Sequence, residues 1–489
     1  MLFEHLFRNA DARPNDIAII DDTGQYTYQQ LATSAAGLGL YLSMQTNQPR
    51  VGLLLPASAG FVASFYGTLL AGKAVVPINF LLGDREVAHV IADSGIDTIV
   101  TIPQLAGRLK ESNLKVVDLM ALPRPPAGAI APHFPTVGAD DLAVLMYTSG
   151  TSGLPKGVML TYGNLQSDVD ASIEHAALQH KHKFLGVIPL FHAFGMTAMM
   201  LAPIQLGSTV IYIARFSPVA AVKAMREHQV SLMFGVPSMF AAMAHLKNAS
   251  ADDFKSIYAL ISGGEPLPGA LRENFQQRFG VTLYEGYGLT ETSPVVALNV
   301  PGWVKVGSVG RTLPGVQVRI TDDEGKPLPP GQSGEVWLKG PMIMKGYFNL
   351  PDETTKALTA DGYFKTGDMG MVDTEGYLHI TGRKKELIIV AGEKASPREI
   401  EDVLLRHPSV REAAVVGKKD PSRGEVVVAF VVPKEGATLA ADEVREFARS
   451  QGLVNWKVPR EVSVVQDLPR SPTGKVLKRV LTEQANAQP

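Results

Sequence analysis

Cysteine is absent from the 489-residue chain. Its absence excludes disulfides, thiolate metal ligands and a cysteine nucleophile. Any thioester made by this protein would therefore take its sulfur from a substrate. The chain also lacks an excess of positive or negative charge. It has 46 Lys and Arg residues and 48 Asp and Glu residues, which give a formal net charge of -2. This balance gives no electrostatic footprint for nucleic acid or for an anionic membrane.

Export and membrane-spanning segments are also lacking. Residues 1–10 have no continuous apolar core of the kind found in signal peptides, so a cytoplasmic location is expected. Residues 184–214 contain no Lys, Arg, Asp or Glu, but glycine and proline interrupt them repeatedly. We therefore predict no transmembrane segment there. A buried strand, a helix opened by the turn at Gly195 and a second strand are expected at Leu185–Leu190, Met196–Gln205 and Ser208–Ile213.

The order of apolar segments predicts a two-domain α/β protein. Over the first two-thirds of the chain, short apolar runs alternate with helical patterns, which is typical of layered α/β subdomains with mainly parallel sheets. A β-rich texture with frequent turn signals follows over about residues 304–382. We predict a large domain over residues 1–382, which includes this β-rich subdomain, and a small α+β domain over residues 383–489.

One loop combines glycine, hydroxyl and lysine side chains after a predicted buried strand. It reads Tyr147-Thr148-Ser149-Gly150-Thr151-Ser152-Gly153-Leu154-Pro155-Lys156-Gly157. Glycines let backbone N–H groups approach an anion, hydroxyls add hydrogen-bond donors and lysine adds positive charge, so the pattern predicts a phosphate-binding loop. It is not the common NTPase P-loop, which has glycine where Pro155 stands. The alternative, a flexible linker, would not normally combine a preceding strand with a Pro-Lys-Gly ending.

This loop resembles the phosphate-binding signature of the adenylate-forming superfamily, which contains acyl-CoA synthetases, peptide-synthetase adenylation domains and luciferases. Further segments match that superfamily's motifs in the expected order over nearly the whole chain. They are Pro189–Gly195, Ser262–Leu267, Glu285–Thr292, Tyr363–Asp368, Gly382-Arg383, Gly392 and Pro469–Lys475. The resemblance implies two half-reactions. A carboxylate attacks the α-phosphate of ATP to give an acyl-adenylate and pyrophosphate, and a thiol then attacks the activated carbonyl and expels AMP.

The resemblance also implies roles for individual residues. Glu291 is expected to bind Mg²⁺, for which a carboxylate is a suitable hard ligand. Asp368 should accept hydrogen bonds from the ribose hydroxyls. The catalytic residues implied are Lys475, Glu291, His192 and Thr148. Those implied to bind nucleotide or coenzyme A are Thr148, Ser149, Gly150, Thr151, Ser152, Gly153, Lys156, Gly263, Gly264, Glu265, Tyr287, Gly288, Thr290, Asp368, Arg383 and Gly392.

Families of this type rotate the small domain between the half-reactions, and the matching positions can be named. Lys475 should bridge the substrate carboxylate and the α-phosphate while negative charge builds on phosphorus. Lys385 matches the hinge, where many relatives carry Asp. Gly392 should line the tunnel for the pantetheine arm of coenzyme A, where a side chain would obstruct. The alternative that Gly392 is an ordinary turn glycine stays open.

The acid is expected to be hydrophobic. Amino-acid-activating relatives place an Asp near the segment that here reads His192-Ala193-Phe194, and an unpaired ammonium in an apolar pocket would cost several kcal/mol. Nearby methionines suggest an adaptable pocket, although methionines at helical spacing more often belong to a core: Met196, Met199 and Met200. We therefore expect an ATP- and Mg²⁺-dependent fatty-acid–CoA ligase.

Several alternatives to this expectation remain. An aryl-acid CoA ligase would use the same chemistry on another acid. An acyl-AMP ligase would load the phosphopantetheine of a carrier protein, although relatives of that kind often carry an insertion that this compact chain lacks. In a catalytically inactive acyl- or nucleotide-binding regulator, the charged residues of the motifs would be replaced, but they are present here. A luciferase-like oxygenase shares the first half-reaction, but no residue marks its oxygenase step.

Overall fold

The computed structural model describes residues 1–109, 113–122, 134–148, 154–470 and 476–487. The first strands in chain order are β1 (Ile17–Asp21), β2 (Gly24–Thr27), β3 (Arg50–Leu54), β4 (Ala74–Pro77), β5 (Thr98–Thr101), β6 (Lys115–Asp118), β7 (Leu142–Thr148), β8 (Lys156–Thr161), β9 (Lys183–Gly186), β10 (Thr209–Tyr212), β11 (Leu232–Gly235) and β12 (Ala259–Ser262). The strands that follow are β13 (Leu283–Gly288), β14 (Val295–Leu298), β15 (Gly310–Thr312), β16 (Gln317–Thr321), β17 (Gly334–Lys339), β18 (Gly346–Tyr347), β19 (Phe364–Val372), β20 (Tyr377–Arg383), β21 (Ile388–Val390), β22 (Glu393–Ala395), β23 (Val410–Asp420), β24 (Gly424–Pro433) and β25 (Glu461–Val464).

The α-helices are α1 (Leu2–Ala12), α2 (Tyr28–Gln45), α3 (Ala59–Leu70), α4 (Asp84–Ser94), α5 (Pro103–Ala106), α6 (Tyr162–His175), α7 (Ala193–Met196), α8 (Ala202–Leu206), α9 (Pro218–His228), α10 (Pro237–Ala244), α11 (Gly269–Phe279), α12 (Pro351–Ala357), α13 (Pro397–Leu404), α14 (Ala441–Ser450) and α15 (Lys478–Ala487). Short 3₁₀ turns lie at Gly107–Leu109, Ala251–Phe254, Thr290–Thr292 and Lys384–Glu386, and a π-helical turn at Thr197–Leu201.

The contacts divide the chain into two units. Unit 1 comprises Met1–Leu267, Asn274–Gln317 and Lys339–Phe364. Unit 2 comprises Pro268–Glu273, Val318–Leu338 and Lys365–Pro489. The domain boundary predicted after residue 382 marks where the rotating segment is expected to begin. That boundary stays a prediction.

Unit 1 is built on two mainly parallel sheets. One has the strand order β18-β8-β7-β4-β3-β5-β6, in which β7, β4, β3, β5 and β6 run parallel and β8 is antiparallel to β7 and β18. In the other, the strands ordered β13-β12-β11-β9-β10-β1 are parallel, and β14 and β2 pair antiparallel to its ends. The predicted alternation of apolar strands with helices is therefore present.

Helix α9 shows how local sequence fixes an element. The side chain of Ser217 accepts a hydrogen bond from the backbone N of Ala220, and Pro218 occupies the first turn, where its missing N–H costs nothing. Gln229 takes a left-handed conformation with φ 53° and ends the helix. Both ends of this helix are therefore set by residues adjacent in the sequence.

The charge-free stretch forms a strand, a helical segment and a second strand, and β9 and β10 pair in parallel. Its predicted internal bounds are wrong. The first strand ends at Gly186, well before Leu190, and the helical segment begins at Ala193 instead of after Gly195. A Cβ at Gly195 would lie 2.4 Å from the carbonyl oxygen of Pro189. This glycine therefore permits close packing inside the first helical turn rather than opening it. Among the described residues, no helix combines the length and apolarity needed to cross a bilayer.

Unit 2 contains the strand run β16-β17-β19-β20 and a sheet of order β22-β21-β24-β23, with β25 beside β24. Alternate residues of β24 point into two different cores, as the two-residue period of a strand requires. Val427, Ala429 and Val431 join the core that includes Ile400 of α13 and Val444 of α14. Val428, Phe430 and Val432 join the core that includes Leu481 of α15. Burial of both faces explains why residues 426–432 of β24 are all apolar.

Candidate active site

The predicted phosphate-binding loop connects two antiparallel strands of unit 1. Strand β7 ends at Thr148 and β8 begins at Lys156, and these two residues lie directly opposite each other in the ladder. The backbone beside Lys156 is held from a neighbouring helix, because the carbonyl of Pro155 lies 2.9 Å from Nε2 of His89. The loop residues between the strands lie outside the described residues, namely Ser149, Gly150, Thr151, Ser152 and Gly153.

The ammonium of Lys156 has two partners in unit 1. Its Nζ lies 2.7 Å from Oε2 of Glu353, which is in the first turn of α12. It also lies 5.4 Å from the ring centroid of Tyr347, within the range of a cation–π interaction. Strand β18 brings Tyr347 to this position by pairing with β8, where Tyr347 is opposite Val158.

Tyr347 also contacts the predicted metal ligand. Its hydroxyl donates a hydrogen bond of 2.8 Å to Oε1 of Glu291. Burial raises the pKa of Tyr347 well above its usual range, and the adjacent Glu291 carboxylate is the second largest cause. This hydroxyl therefore stays protonated. The backbone of Glu291 is anchored too, because Met344 N donates to its carbonyl oxygen at 2.8 Å. We call Lys156, Glu353, Tyr347 and Glu291 the Lys156 cluster.

The donor set of this cluster fits Mg²⁺ bound together with a nucleotide. Among the described residues, no group of three or more His, Cys, Asp or Glu side chains converges as a metal cage would require. Mg²⁺ is usually held by one or two carboxylates plus substrate phosphates and water. Glu291 would supply one such carboxylate, and Tyr347 links it to Lys156, a lysine suited to phosphate.

Residues 263–265, which the resemblance implies bind nucleotide, follow the carboxyl end of β12. This strand is parallel to β11 and β13, and ligands of α/β sheets bind at that edge. Gly263 N donates to Gly235 O at 3.0 Å, and a Cβ at Gly263 would lie 3.2 Å from the ring of Phe194. The segment thus packs against the His192–Gly195 motif. Gly264 follows with φ 79°, and Glu265 is partly exposed.

The residues predicted to face adenine and phosphate lie at and just beyond the end of β13. Tyr287 and Gly288 end this strand, and Thr290 begins the 3₁₀ turn that carries Glu291. A Cβ at Gly288 would lie 1.9 Å from the carbonyl oxygen of Pro294, so only glycine fits there. This backbone crossing brings Glu291 back to the sheet edge.

His192 precedes α7 in apolar surroundings. Its ring centroid lies 4.8 Å from that of Phe191, which lies 5.0 Å from that of Phe80. Nε2 is buried and has no hydrogen-bond partner within the part of the chain that the structure describes, and burial lowers the pKa of His192 to about 4. The imidazole is therefore neutral at neutral pH. The methionines predicted to flank a pocket are fully buried, as the alternative that they are core residues requires: Met196, Met199 and Met200.

In unit 2, two of the predicted nucleotide-binding residues form an ion pair. Asp368 on β19 lies directly opposite Arg383 on β20, and Oδ1 is 3.1 Å from Nε. Asp368 is buried, and its backbone N donates to the hydroxyl of Thr366 at 3.0 Å. The guanidinium thus fixes the orientation of the carboxylate.

The predicted hinge and tunnel residues also lie in unit 2. Lys385 is exposed in the 3₁₀ turn after β20. Gly392 and the preceding Ala391 join β21 to β22 with φ values of 90° and 51°, which is the geometry of a two-residue hairpin turn. No described atom lies within 4 Å of a Cβ placed on Gly392. The turn alone therefore favours glycine here, and the role toward pantetheine stays a prediction. Lys475 lies outside the described residues.

Glu353 and Tyr347 were not predicted from the sequence. Glu353 is 197 positions from Lys156, and Tyr347 is 56 positions from Glu291, so no local spacing reveals either contact. Pro351 and the acidic residues after it are typical of a helix start, which hides any second role of Glu353. The pairing of β18 with β8 brings Tyr347 to Lys156, and helix α12, which follows β18, carries Glu353.

Family models match most of the chain. Residues 6–348 match the AMP-binding enzyme family, and residues 399–475 match the AMP-binding enzyme C-terminal domain. The chain therefore belongs to the AMP-binding enzymes of the adenylate-forming superfamily, in their acyl-CoA ligase family. Its reaction is the ATP-dependent, AMP-forming ligation of a carboxylic acid to coenzyme A. The superfamily and the fold class predicted from the sequence are thereby confirmed.

Similar proteins differ in the acid they are named for. A feruloyl-CoA synthase from Amycolatopsis sp is 36% identical, with 96% of each chain covered. A long-chain-fatty-acid–CoA ligase from Bacillus subtilis (strain 168) is 34% identical, with 96% of this chain and 92% of the relative covered. The crystal structure of ATP-bound MatB from Rhodopseudomonas palustris matches with a TM-score of 0.92 at 30% identity, covering 99% of this chain and 98% of that one.

Proposed function

We propose that this ligase activates a hydrophobic carboxylic acid, most simply a fatty acid, as an acyl-adenylate and then transfers the acyl group to coenzyme A. The observation that carries the proposal is the Lys156 cluster, which joins a phosphate-binding cation to a carboxylate suited to Mg²⁺. The Mg²⁺ that ATP brings supplies positive charge to the polyphosphate.

Each unit contributes residues to the first half-reaction in this proposal. The hairpin between Thr148 and Lys156 binds the β- and γ-phosphates, and Glu291 holds the metal that these phosphates bring. Asp368 accepts from the ribose hydroxyls, with Arg383 holding its carboxylate in place. Lys475 neutralises the charge that builds on the α-phosphorus during attack. Residues 383–489 rotate between the half-reactions, because one arrangement cannot easily stabilise both transition states.

The surroundings of His192 support a hydrophobic acid. Aromatic rings flank its neutral imidazole, and its buried Nε2 can meet a polar atom of a substrate. A substrate ammonium would find no carboxylate in the His192–Gly195 motif. The relatives named for feruloyl and long-chain fatty acyl groups both act on largely apolar acids.

An aryl acid is the second candidate. It is favoured by the 36% identity to the feruloyl-CoA synthase and by the ring stack of Phe80, Phe191 and His192, against which a planar acid could pack. Transfer to the phosphopantetheine of a carrier protein instead of coenzyme A is the alternative for the second half-reaction.

The test is a panel of acids assayed for pyrophosphate and AMP release from ATP. The panel contains saturated fatty acids of graded length, ferulate and benzoate, acetate, and an amino acid. We expect efficient release with fatty acids, and release with ferulate alone would favour the second candidate. Each productive acid is then assayed with coenzyme A and with a phosphopantetheinylated carrier protein. Activity restricted to the amino acid, or to the carrier protein, would contradict the proposal.

A further inference from the structure

The ion pair between Lys156 and Glu353 is accessible to solutes. The side chains of Lys156 and Glu353 are 31% and 35% exposed, so neither charge is sealed in the protein. Glu353 uses its second oxygen as well, because Oε1 accepts from Nζ of Lys356 at 2.9 Å. The hydrogen bond from Lys156 is the largest cause, and that from Lys356 the second, of a pKa of Glu353 lowered to about 2. Glu353 is therefore a carboxylate at any pH at which the enzyme would work.

Tyr347 holds the lysine head from another side. The Lys156 ammonium lies 5.4 Å from the centroid of a ring whose hydroxyl is fixed by Glu291. Loss of the Glu353 contact would leave this ring contact in place. The ammonium could thus exchange one anionic partner for another without leaving the cluster.

A phosphate and the Glu353 carboxylate would make similar demands on Lys156. Both are oxygen anions that pair with an ammonium at hydrogen-bonding distance. A phosphate on Lys156 would also lie within a few ångström of the like-charged carboxylate, at a distance where repulsion near a protein surface is appreciable. A polyphosphate that binds Lys156 must therefore either displace the Glu353 carboxylate from this lysine or bind more weakly because of the repulsion.

We infer that Glu353 is a positioning residue that competes with the polyphosphate of ATP and with pyrophosphate for Lys156, and so promotes release of pyrophosphate after adenylation. The inference rests on the proposed phosphate contact of Lys156. It assigns to Glu353 a function opposite to that of a phosphate ligand, since the carboxylate weakens the binding of pyrophosphate and thereby limits reversal of the first half-reaction.

The test measures equilibrium binding of magnesium pyrophosphate by calorimetry. Glu353→Gln keeps the size and an acceptor for Lys156 but removes the charge. We expect its Kd for pyrophosphate to fall by about three- to tenfold, with a matching fall in the inhibition constant of pyrophosphate. Conversion of supplied acyl-adenylate to thioester should be unchanged. An unchanged or higher Kd would overturn the inference.

Two matched variants separate the ion pair from general charge effects. Asp352→Asn makes the same charge change one residue earlier, at a side chain with no described contact to Lys156, and should change the pyrophosphate Kd by less than about twofold. Lys356→Gln removes only the other partner of Glu353 and should leave the Kd unchanged or raise it. A fall in Kd with Asp352→Asn equal to that of Glu353→Gln would also overturn the inference.

Lys156→Met distinguishes failure of the inference from failure of the proposed function. It should weaken pyrophosphate binding by about tenfold or more and abolish the effect of Glu353→Gln in the double variant. If Lys156→Met leaves binding unchanged, the proposed phosphate contact itself is wrong. If Lys156→Met weakens binding but Glu353→Gln does not strengthen it, only the competition is wrong. Circular dichroism of each variant checks that it is folded.

Discussion

The imidazole of His192 shows how burial sets the charge of one side chain in the candidate site. Its apolar surroundings disfavour the protonated form and lower the pKa to about 4, from an ordinary value of 6.5. An imidazolium beside an acyl chain would need a partner, and Nε2 has none among the described residues. A neutral ring is therefore compatible with a hydrophobic acid, whereas a charged one would not be.

The first prediction concerns the titration of His192. Because protons bind it more weakly in the folded than in the unfolded state, its contribution to stability is complete above about pH 6.5 and is lost as the pH falls towards about 4. In NMR spectra of ring-labelled protein, the signal that disappears in His192→Phe should show no titration near pH 6.5 and should begin to shift only in more acidic buffer. A midpoint near 6.5 would contradict the buried, neutral state.

How far a site residue can be predicted from sequence depends on the range of its contacts. Glu291 belongs to a motif whose residues are adjacent in the chain. Tyr347 links it to Lys156, and its role as a metal ligand stays a prediction. Glu353 and Tyr347 reach the same place through a strand pairing between distant segments, which no spacing encodes. Gly195 was predicted to form a turn. The structure requires glycine there for another reason, the close packing against the Pro189 carbonyl, which the sequence does not show.

Among the elements, helix α9 has both ends set by local signals. The bounds of α9 follow from Ser217, Pro218 and the left-handed Gln229, all local effects. The end of β9 was placed four residues too late, because an apolar run shows burial without showing where pairing stops. The apolar residues after Gly186 are buried in loop and helix instead.

Helix α15 is tied to the segment that follows β20 within unit 2. Its first residue, Lys478, lies 2.8 Å from Oε1 of Glu401 and 3.3 Å from Oε2 of Glu386. Burial lowers the pKa of Lys478, but the two carboxylates outweigh it and raise that pKa overall. Glu386 follows the predicted hinge residue directly, and Lys478 is three positions after the predicted catalytic lysine. The contact therefore connects these two segments.

The second prediction concerns this connection. Lys478→Met removes the ammonium but keeps much of the side-chain volume, and it leaves two carboxylates without their shared partner. We expect carboxylate-dependent ATP–pyrophosphate exchange to fall by about tenfold or more, because the segment that carries Lys475 loses an anchor. Thioester formation from supplied acyl-adenylate should fall much less.

Lys478→Arg serves as the conservative variant, since a guanidinium can bridge the same carboxylates, and it should restore most of the exchange activity. Equal losses in both half-reactions, or no rescue by arginine, would show that Lys478 acts only by stabilising unit 2. Thermal unfolding of each variant records that stability separately.

Taken together, the two units divide the proposed chemistry between them. The phosphate and metal residues Lys156 and Glu291 lie in unit 1, whereas Asp368, Arg383, Lys385 and Gly392 lie in unit 2. Lys475 and Gly392 are assigned to different half-reactions, although both follow the predicted hinge. If residues 383–489 present these two positions in turn, substitutions at them should have opposite effects on the two steps.

The last prediction tests this division with one variant for each step. Lys475→Ala should lose adenylation by orders of magnitude, because no other cation is assigned to the α-phosphate, while still converting supplied acyl-adenylate to thioester. Gly392→Leu should retain adenylation and lose thioester formation, because a side chain would enter the proposed path of the pantetheine arm. Rates of ATP–pyrophosphate exchange and of thioester formation measure the two steps separately.

The Gly392 variant needs a control, since leucine is strained at a φ of 90° wherever it stands. Gly452→Leu provides it, because Gly452 is also exposed in unit 2, has φ 85° and has no described atom within 4 Å of a Cβ. Both variants should lose similar stability, but only Gly392→Leu should lose thioester formation. If the two variants behave alike, Gly392 is an ordinary turn glycine.

If Lys475→Ala and Gly392→Leu each damage both steps equally, the proposed rotation is wrong, because a single arrangement would then serve both half-reactions.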